Sequence, residues 1–425
     1  MDGANTMTSE YTPSVGRRLI AILFLSQSLA SAGLIAVFTV NAIVGAKLSG
    51  NEGLAGLPGM VLQIGGALMA YPAGRFMQRY GRRPGLFMGF LLGAVAMLTG
   101  GFAIAGSNFA LFLIALTMMG ASRGVIDQGR YAAADAQPLE QRARAISTVV
   151  FASTIGAVGG PALVAPLGNF VGSLGIEPLA GPMFGGSLLL GLGSLILLIF
   201  LRPDPRDMAR SIAAQHPEEH HTTLPGQVRP FAAIMRLPTY QLAVLAMIFG
   251  QVVMVMVMGV TSLHMSHHNH GLGDISLVFA AHTLGMFGVS FMTGFVTDRL
   301  GRPATIILGA ITLIAGALLA PVSLLTPWIA LALFLVGLGW NMCYIGGSSL
   351  LSDTLAPSER GQYQGLSDLS VNVGAAIASI SSGFIMAANG YPFLCLLGAI
   401  LSLVPLVMGS LQLWRRQSAP AVARG

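Results

Sequence analysis

Apolar runs long enough to cross a bilayer recur along this chain, and they decide what it can fold into. A stretch of about 20 mainly apolar residues spans the hydrocarbon core as one helix. In that core every backbone N–H and C=O has to be bonded internally, so repeated runs of this kind mean a bundle of helices. Composition agrees: 54% of the residues are hydrophobic and 9% charged, against about 25% charged in a soluble domain. Glycine and proline are frequent but follow no triplet period, which excludes a collagen-like chain. Cys343 and Cys395 lie in separate apolar runs, so no disulfide framework is indicated.

Charges, prolines and glycine clusters divide the chain into twelve expected spans: 17–46, 55–78, 85–105, 108–132, 142–172, 181–201, 238–265, 272–298, 304–323, 326–351, 360–388 and 390–414. Arg17 and Arg18 ahead of the first run resemble the start of a signal peptide. That run exceeds a signal h-region and no small-residue cleavage site stands out, so an uncleaved first helix is expected. Of the 22 Lys and Arg, twenty fall before span one, after even-numbered spans or at the C-terminal end; Lys47 lies on the opposite side and Arg123 inside span four. The positive-inside rule then places both termini in the cytoplasm. The formal charge of +6 is therefore read as a topology signal, and no nucleic-acid partner is expected. Residues 202–237 are too polar to span and read as a cytoplasmic linker. The expected domains are a six-helix bundle over 1–201, that linker, and a second six-helix bundle over 238–425.

The two halves carry one motif. Gly74, Arg79, Gly81 and Arg82 follow span two; Gly294, Arg299, Gly301 and Arg302 follow span eight, each 220 residues on. A second echo pairs Asp135, Pro138, Glu140 and Arg142 with Asp353, Pro357, Glu359 and Arg360. Glycine at 81 and 301 permits a turn with positive φ, and the arginines can bond helix-end carbonyls. This pattern resembles the major facilitator superfamily, whose signature loop reads G-x-x-x-D-R-x-G-R. The second copy is complete, with Asp298 in the acidic slot; the first has Gln78 there. The resemblance implies an all-α membrane protein of two six-helix bundles that transports solute by alternating access. The antiporter pattern of that family is partial: Gly156, Gly160 and Pro161 are present, but Val164 and Ala165 replace the expected glycine pair.

Polar groups inside a membrane mark solute or ion paths. Arg123 and Asp127 lie four apart on one helix face and can neutralise one another. Asp127 and Asp368 are the candidate coupling groups. Spans seven and eight are distinctive. Met254 and Met258 share one face, and His282 and Met286 form a second i, i+4 pair. Met254 is 11 residues and His282 10 residues from the outer ends of their spans. At 1.5 Å per residue both sit roughly 15–16 Å deep, near the middle of a ~30 Å core. Thioethers are soft ligands that select Cu(I), and imidazole accepts copper more broadly. Methionine is also a common filler of apolar cores. The loop residues His264, Met265, His267, His268 and His270 could collect an ion on the outer side. Met-x-x-x-Met followed by His-x-x-x-Met resembles the bacterial copper importers of this superfamily that serve cytochrome c oxidase assembly. That resemblance implies Met254, Met258, His282 and Met286 as copper contacts and import across the bacterial cytoplasmic membrane, with copper as cargo and no resident cofactor.

The alternative is a proton-coupled carrier of a small organic solute such as a vitamin or drug, which Trp340 and Tyr344 at mid-span would favour. A non-transporting receptor is a rival from another class. An enzyme is not expected, since H-E-x-x-H does not occur and no nucleophile–base pair can be read within a span. The partners expected are copper or a small solute and the lipid bilayer, with the chain as a monomer. Cys343 is read as packing, and His216, His220 and His221 as part of a solvated linker beside Glu218 and Glu219.

Overall fold

A computed structural model describes residues 12–215, 229–355 and 357–418. Every regular element among them is helical. The linker residues His216, Glu218, Glu219, His220 and His221 lie outside the described residues. Two compact units form. The first holds the chain up to Phe38 and Ile64–Thr223; the second holds Thr39–Gln63 and the chain from Leu224 on.

The first unit holds α1 (Pro13–Ser49) up to Phe38 and α2 (Leu57–Tyr80) from Ile64, followed by α3 (Arg82–Ala105), α4 (Phe109–Ile126), α5 (Gly129–Asp135), α6 (Leu139–Ser173), α7 (Gly181–Phe200) and α8 (Pro205–Gln215). Small residues let these helices touch. Ser122 on α4 donates to the Gly89 carbonyl on α3 at 2.7 Å. A Cβ at Gly156 or Gly160 of α6 would strike the backbone of α1 at Ser28 and Ala32. Those two glycines therefore serve close packing in the manner of small-xxx-small seams. Large apolar side chains such as Phe102, Phe170, Leu188 and Leu195 stay exposed, as lipid-facing positions do.

The second unit contains α9 (Phe231–Met235), α10 (Pro238–His267), α11 (Leu272–Thr283), α12 (Ser290–Leu300), α13 (Arg302–Leu319), α14 (Thr326–Thr354), α15 (Pro357–Leu401) and α16 (Leu403–Ser418). Thr39–Gln63 joins this unit because the 3-10 turn Glu52–Gly56 lies against α15. Ser379 donates to the Gly56 carbonyl at 2.9 Å, and a Cβ at Gly56 would collide with the Ser379 backbone.

Several expected boundaries shift. Nine helices among the described residues are long and apolar enough to cross a bilayer, ten with the bent pair Glu52–Met69 and Pro72–Tyr80. The expected span 272–298 is interrupted by a π-turn over Leu284–Gly288 between α11 and α12. Spans 360–388 and 390–414 run together as one long element, with a break at Gly390, where φ is +80°. The linker is partly folded: α8 buries Met208 and Ile212, four apart on one face, and packs on α5 and α3.

Candidate functional site

The signature loops are helix–turn–helix junctions. Gly81 has φ +111° and ψ 161°, and Gly301 φ +86° and ψ 159°. That backbone region is essentially open to glycine alone. Arg82 Nε meets Asp135 Oδ2 at 2.7 Å, and Arg302 Nε meets Asp353 Oδ2 at 2.9 Å. The second sequence echo thus supplies the acids that pair with the first. Gly74 and Gly294 lie about two helical turns before each junction, and a Cβ added at either would meet nothing within 4 Å. Arg79 lies over the Tyr80 ring and Arg299 over the Phe295 ring, at 5.4 and 4.2 Å. The Asp298 side chain lies outside what is described.

A second constellation lies deep in the second unit, where α14 meets α10 and α11. Leu333, Gly337 and Asn341 form the stripe of α14 that faces α11 and the π-turn. Trp340, Cys343 and Gly347 face α10. At 3.6 residues per turn the two stripes are roughly a quarter turn apart. Trp340 joins the flanks. Its Nε1–H donates to Gln251 Oε1 of α10 at 2.7 Å, and its ring meets Phe287 of the π-turn edge-on at 5.9 Å. On α14 itself Trp340 stacks with Tyr344 at 5.1 Å and 20°. Asn341 Nδ2 donates to the Met286 carbonyl at 2.7 Å and reaches Ser290 Oγ at 2.9 Å. Its Oδ1 is buried without a hydrogen-bond partner. A π-turn disturbs the regular carbonyl ladder and recurs at functional sites; here a side-chain amide takes up the Met286 carbonyl. Rings stacked beside orientable amides can hold a flat organic molecule by its face and its edge.

The expected metal ligands lie on α10, on α11 and in the π-turn. Met254, Met258 and His282 are buried and Met286 is half-buried. However, α10 packs on α14 and α15 while α11 packs on α14, and α10 and α11 do not run packed along each other. Consecutive antiparallel helices are here not packing neighbours, and α14 is the element that both pack on. His282 Nδ1 donates to the Leu333 carbonyl at 2.8 Å, and its Nε2 is buried without a partner.

Two of the outer histidines pair and the other two take separate partners. His264 stacks on Tyr391 at 4.1 Å and meets His268 edge-on at 4.5 Å. His267 lies 3.2 Å from Glu52, and His270 lies 3.3 Å from Thr326 Oγ1 and 3.9 Å from Asp274. Met265 is buried. Among the described residues no group of three or more His, Cys, Asp or Glu could hold a metal ion. Cys343 is buried against Gly250 and Gly309, which fits packing. Arg123 and Asp127 stand 4.0 Å apart, both about half exposed, and Asp368 is exposed.

Sequence reading missed Gln251, Phe287, Asn341 and Ser290 as one group, and also Asp204. A signal for the amides existed: Gln251 and Asn341 are uncharged polar residues inside apolar runs, the kind that bond across membrane helices.

Known proteins share this architecture. The family model described as the Major Facilitator Superfamily matches residues 23–268 and again residues 242–425. The chain is 37% identical over 411 residues to the uncharacterized MFS-type transporter YdeG of Bacillus subtilis, covering 94% of each chain. It is 31% identical over 403 residues to the riboflavin transporter RfnT of Brucella anthropi, covering 93% of this chain and 96% of that one. Among solved structures, a bacterial homolog of the human lysosomal transporter Spinster superposes with a TM-score of 0.68 at 15% identity, covering 94% of this chain and 96% of that one. At that identity the likeness concerns the fold.

Proposed function

Because the chain belongs to the Major Facilitator Superfamily, we propose that it is a secondary-active carrier of a small organic solute, with riboflavin as the first solute to test. The observation that carries this reading is the Trp340–Tyr344–Phe287 cluster, flanked by the amides of Gln251 and Asn341. The 31% identity to a riboflavin transporter supports it. The proposal keeps twelve spans, cytoplasmic termini and a bacterial inner-membrane location. Twelve is supported by counting the bent pair as one span, dividing the 50-residue apolar segment Leu366–Arg415 at Gly390, and treating α11, the π-turn and α12 as one broken span. Asp127 and Asp368, both accessible, are the groups proposed for proton coupling.

The test is uptake into proteoliposomes with and without an inward proton gradient. Riboflavin flux is expected in the wild type. Trp340→Ala should lower it roughly tenfold, the size of one lost ring stacking of 1–3 kcal/mol. His282→Ala should leave a gradient-driven flux. Copper uptake that disappears in Met254→Ala and His282→Ala, with no flux of any flat organic solute, would replace this reading by a metal carrier.

A further inference from the structure

An indole N–H only donates, so the atom of Gln251 that faces Trp340 is its carbonyl oxygen. That contact fixes which way the amide is turned. The Gln251 amino group is thereby directed away from the indole. It has no hydrogen-bond partner among the described residues, and it is not among the buried unsatisfied atoms. Two N–H donors are therefore presented at an accessible position, one side chain away from the Trp340–Tyr344 stack. Tyr344 and Phe287 are themselves half-buried, so ring surface remains open beside the donors.

A site built to bond a solute group discriminates strongly against an analogue that lacks it. The charged groups that would bind an anion do not appear in this constellation, whose described members are Gln251, Met286, Phe287, Ser290, Trp340, Asn341 and Tyr344. The chemistry fits a neutral acceptor on a flat ring.

We propose that Gln251 is a specificity-determining residue: its amino group, held in orientation by Trp340, donates to a ring carbonyl of a planar heteroaromatic solute lying against the aromatic cluster. This rests on the carrier reading above and names the part of the solute that is recognised. A lactam or imide ring has the required edge; a purely aliphatic polyol does not.

The experiment uses full-length protein in vesicles, in a Trp328→Phe/Trp414→Phe background that leaves Trp340 as the reporter. Both replaced tryptophans are partly or largely exposed, at 37% and 65%. Riboflavin, its 2-thio and 4-thio analogues and ribitol are titrated against Trp340 fluorescence, and flux is read in the same vesicles. Sulfur is a weak acceptor, so one thio analogue is expected to bind about tenfold more weakly than riboflavin, while ribitol leaves the fluorescence unchanged. Gln251→Glu keeps an acceptor for the indole but replaces the amino group; it should bind riboflavin about tenfold more weakly and treat riboflavin and that thio analogue alike. Gln251→Leu, which removes both functions, should do the same and guards against an effect of charge. Undiminished thio discrimination in both variants overturns the proposal, as does ring binding that leaves Trp340 unquenched. Flavin flux without Trp340 quenching removes this site but leaves the carrier reading. Quenching with discrimination but no flux keeps the site and removes the carrier reading.

Discussion

The two signature loops share a skeleton and differ in how it is held. In both, a glycine at positive φ separates two helices and an arginine pairs with an aspartate about fifty residues on. In the first loop the start of α3 is capped by Asp204, whose two carboxylate oxygens accept from the backbone of Arg82 and Arg83 at 3.0 Å each. Arg206, two residues further, donates to the Gln78 and Arg79 carbonyls at the end of α2. A carboxylate at a helix start and a guanidinium at a helix end both complement the local dipole. In the second loop α13 begins Arg302–Pro303 behind Gly301, which has no side chain to cap it. It borders a cleft lined by Arg229, Thr239, Arg302 and Asp353, and Arg229 donates to the Thr354 carbonyl at 2.9 Å. The Arg82–Asp135 pair is also the more sheltered, with side chains 16% and 27% exposed against 32% and 55% for Arg302–Asp353. The loop that lacks an acid in its motif thus receives one from outside the motif. Matching consensus residues do not imply matching supports.

The sharpest way to break this comparison is to add one methyl group to each glycine. Gly81→Ala forces an unfavourable backbone region and drives its Cβ into the Asp204 carboxylate. A loss of about 3 kcal/mol is expected from strain and overlap together. Gly301→Ala meets nothing within 4 Å and should cost only the strain, about 2 kcal/mol. Thermal unfolding in detergent reads the difference; equal losses would mean that Asp204 does not seat on the loop. Next in size is Asp204→Ala, which strips the cap from α3 and should cost about 2 kcal/mol, with Asp204→Asn recovering part of it. If the alanine variant unfolds like the wild type, the cap contributes nothing. Gln78→Asp restores the consensus acid at an exposed position and should move stability by less than about 0.5 kcal/mol. A larger gain would show that the acidic slot, and not Asp204, is what the first loop lacks.

The repeat was legible because a 220-residue offset survives in the sequence, and the positions of Gly81 and Gly301 follow from turn chemistry. The arginine–aspartate pairing was half legible: both echoes were visible, but not that one supplies partners to the other. The candidate site was less so. Trp340 and Tyr344 stood out as aromatic residues in a span, whereas Gln251, Phe287 and Asn341 belong to three different helical segments. The methionine and histidine pairs were placed at similar depth by counting residues from span ends. Depth is one coordinate; the other two are set by which face each helix turns to α14.

The sequence by itself determined the solvent this protein folds in, the helical nature of its elements, its internal duplication and its two glycine junctions. Each of these follows from hydropathy, periodicity or a backbone angle, which are properties of neighbouring residues. The tertiary structure alone decided that Asp204 caps α3, that α10 and α11 approach α14 from different sides, and that Trp340 orients the Gln251 amide. Those facts depend on helix crossings and side-chain reach between residues 50 to 130 positions apart. No local pattern encodes such contacts, because the energy of a buried polar or aromatic group is fixed by whatever the fold sets beside it.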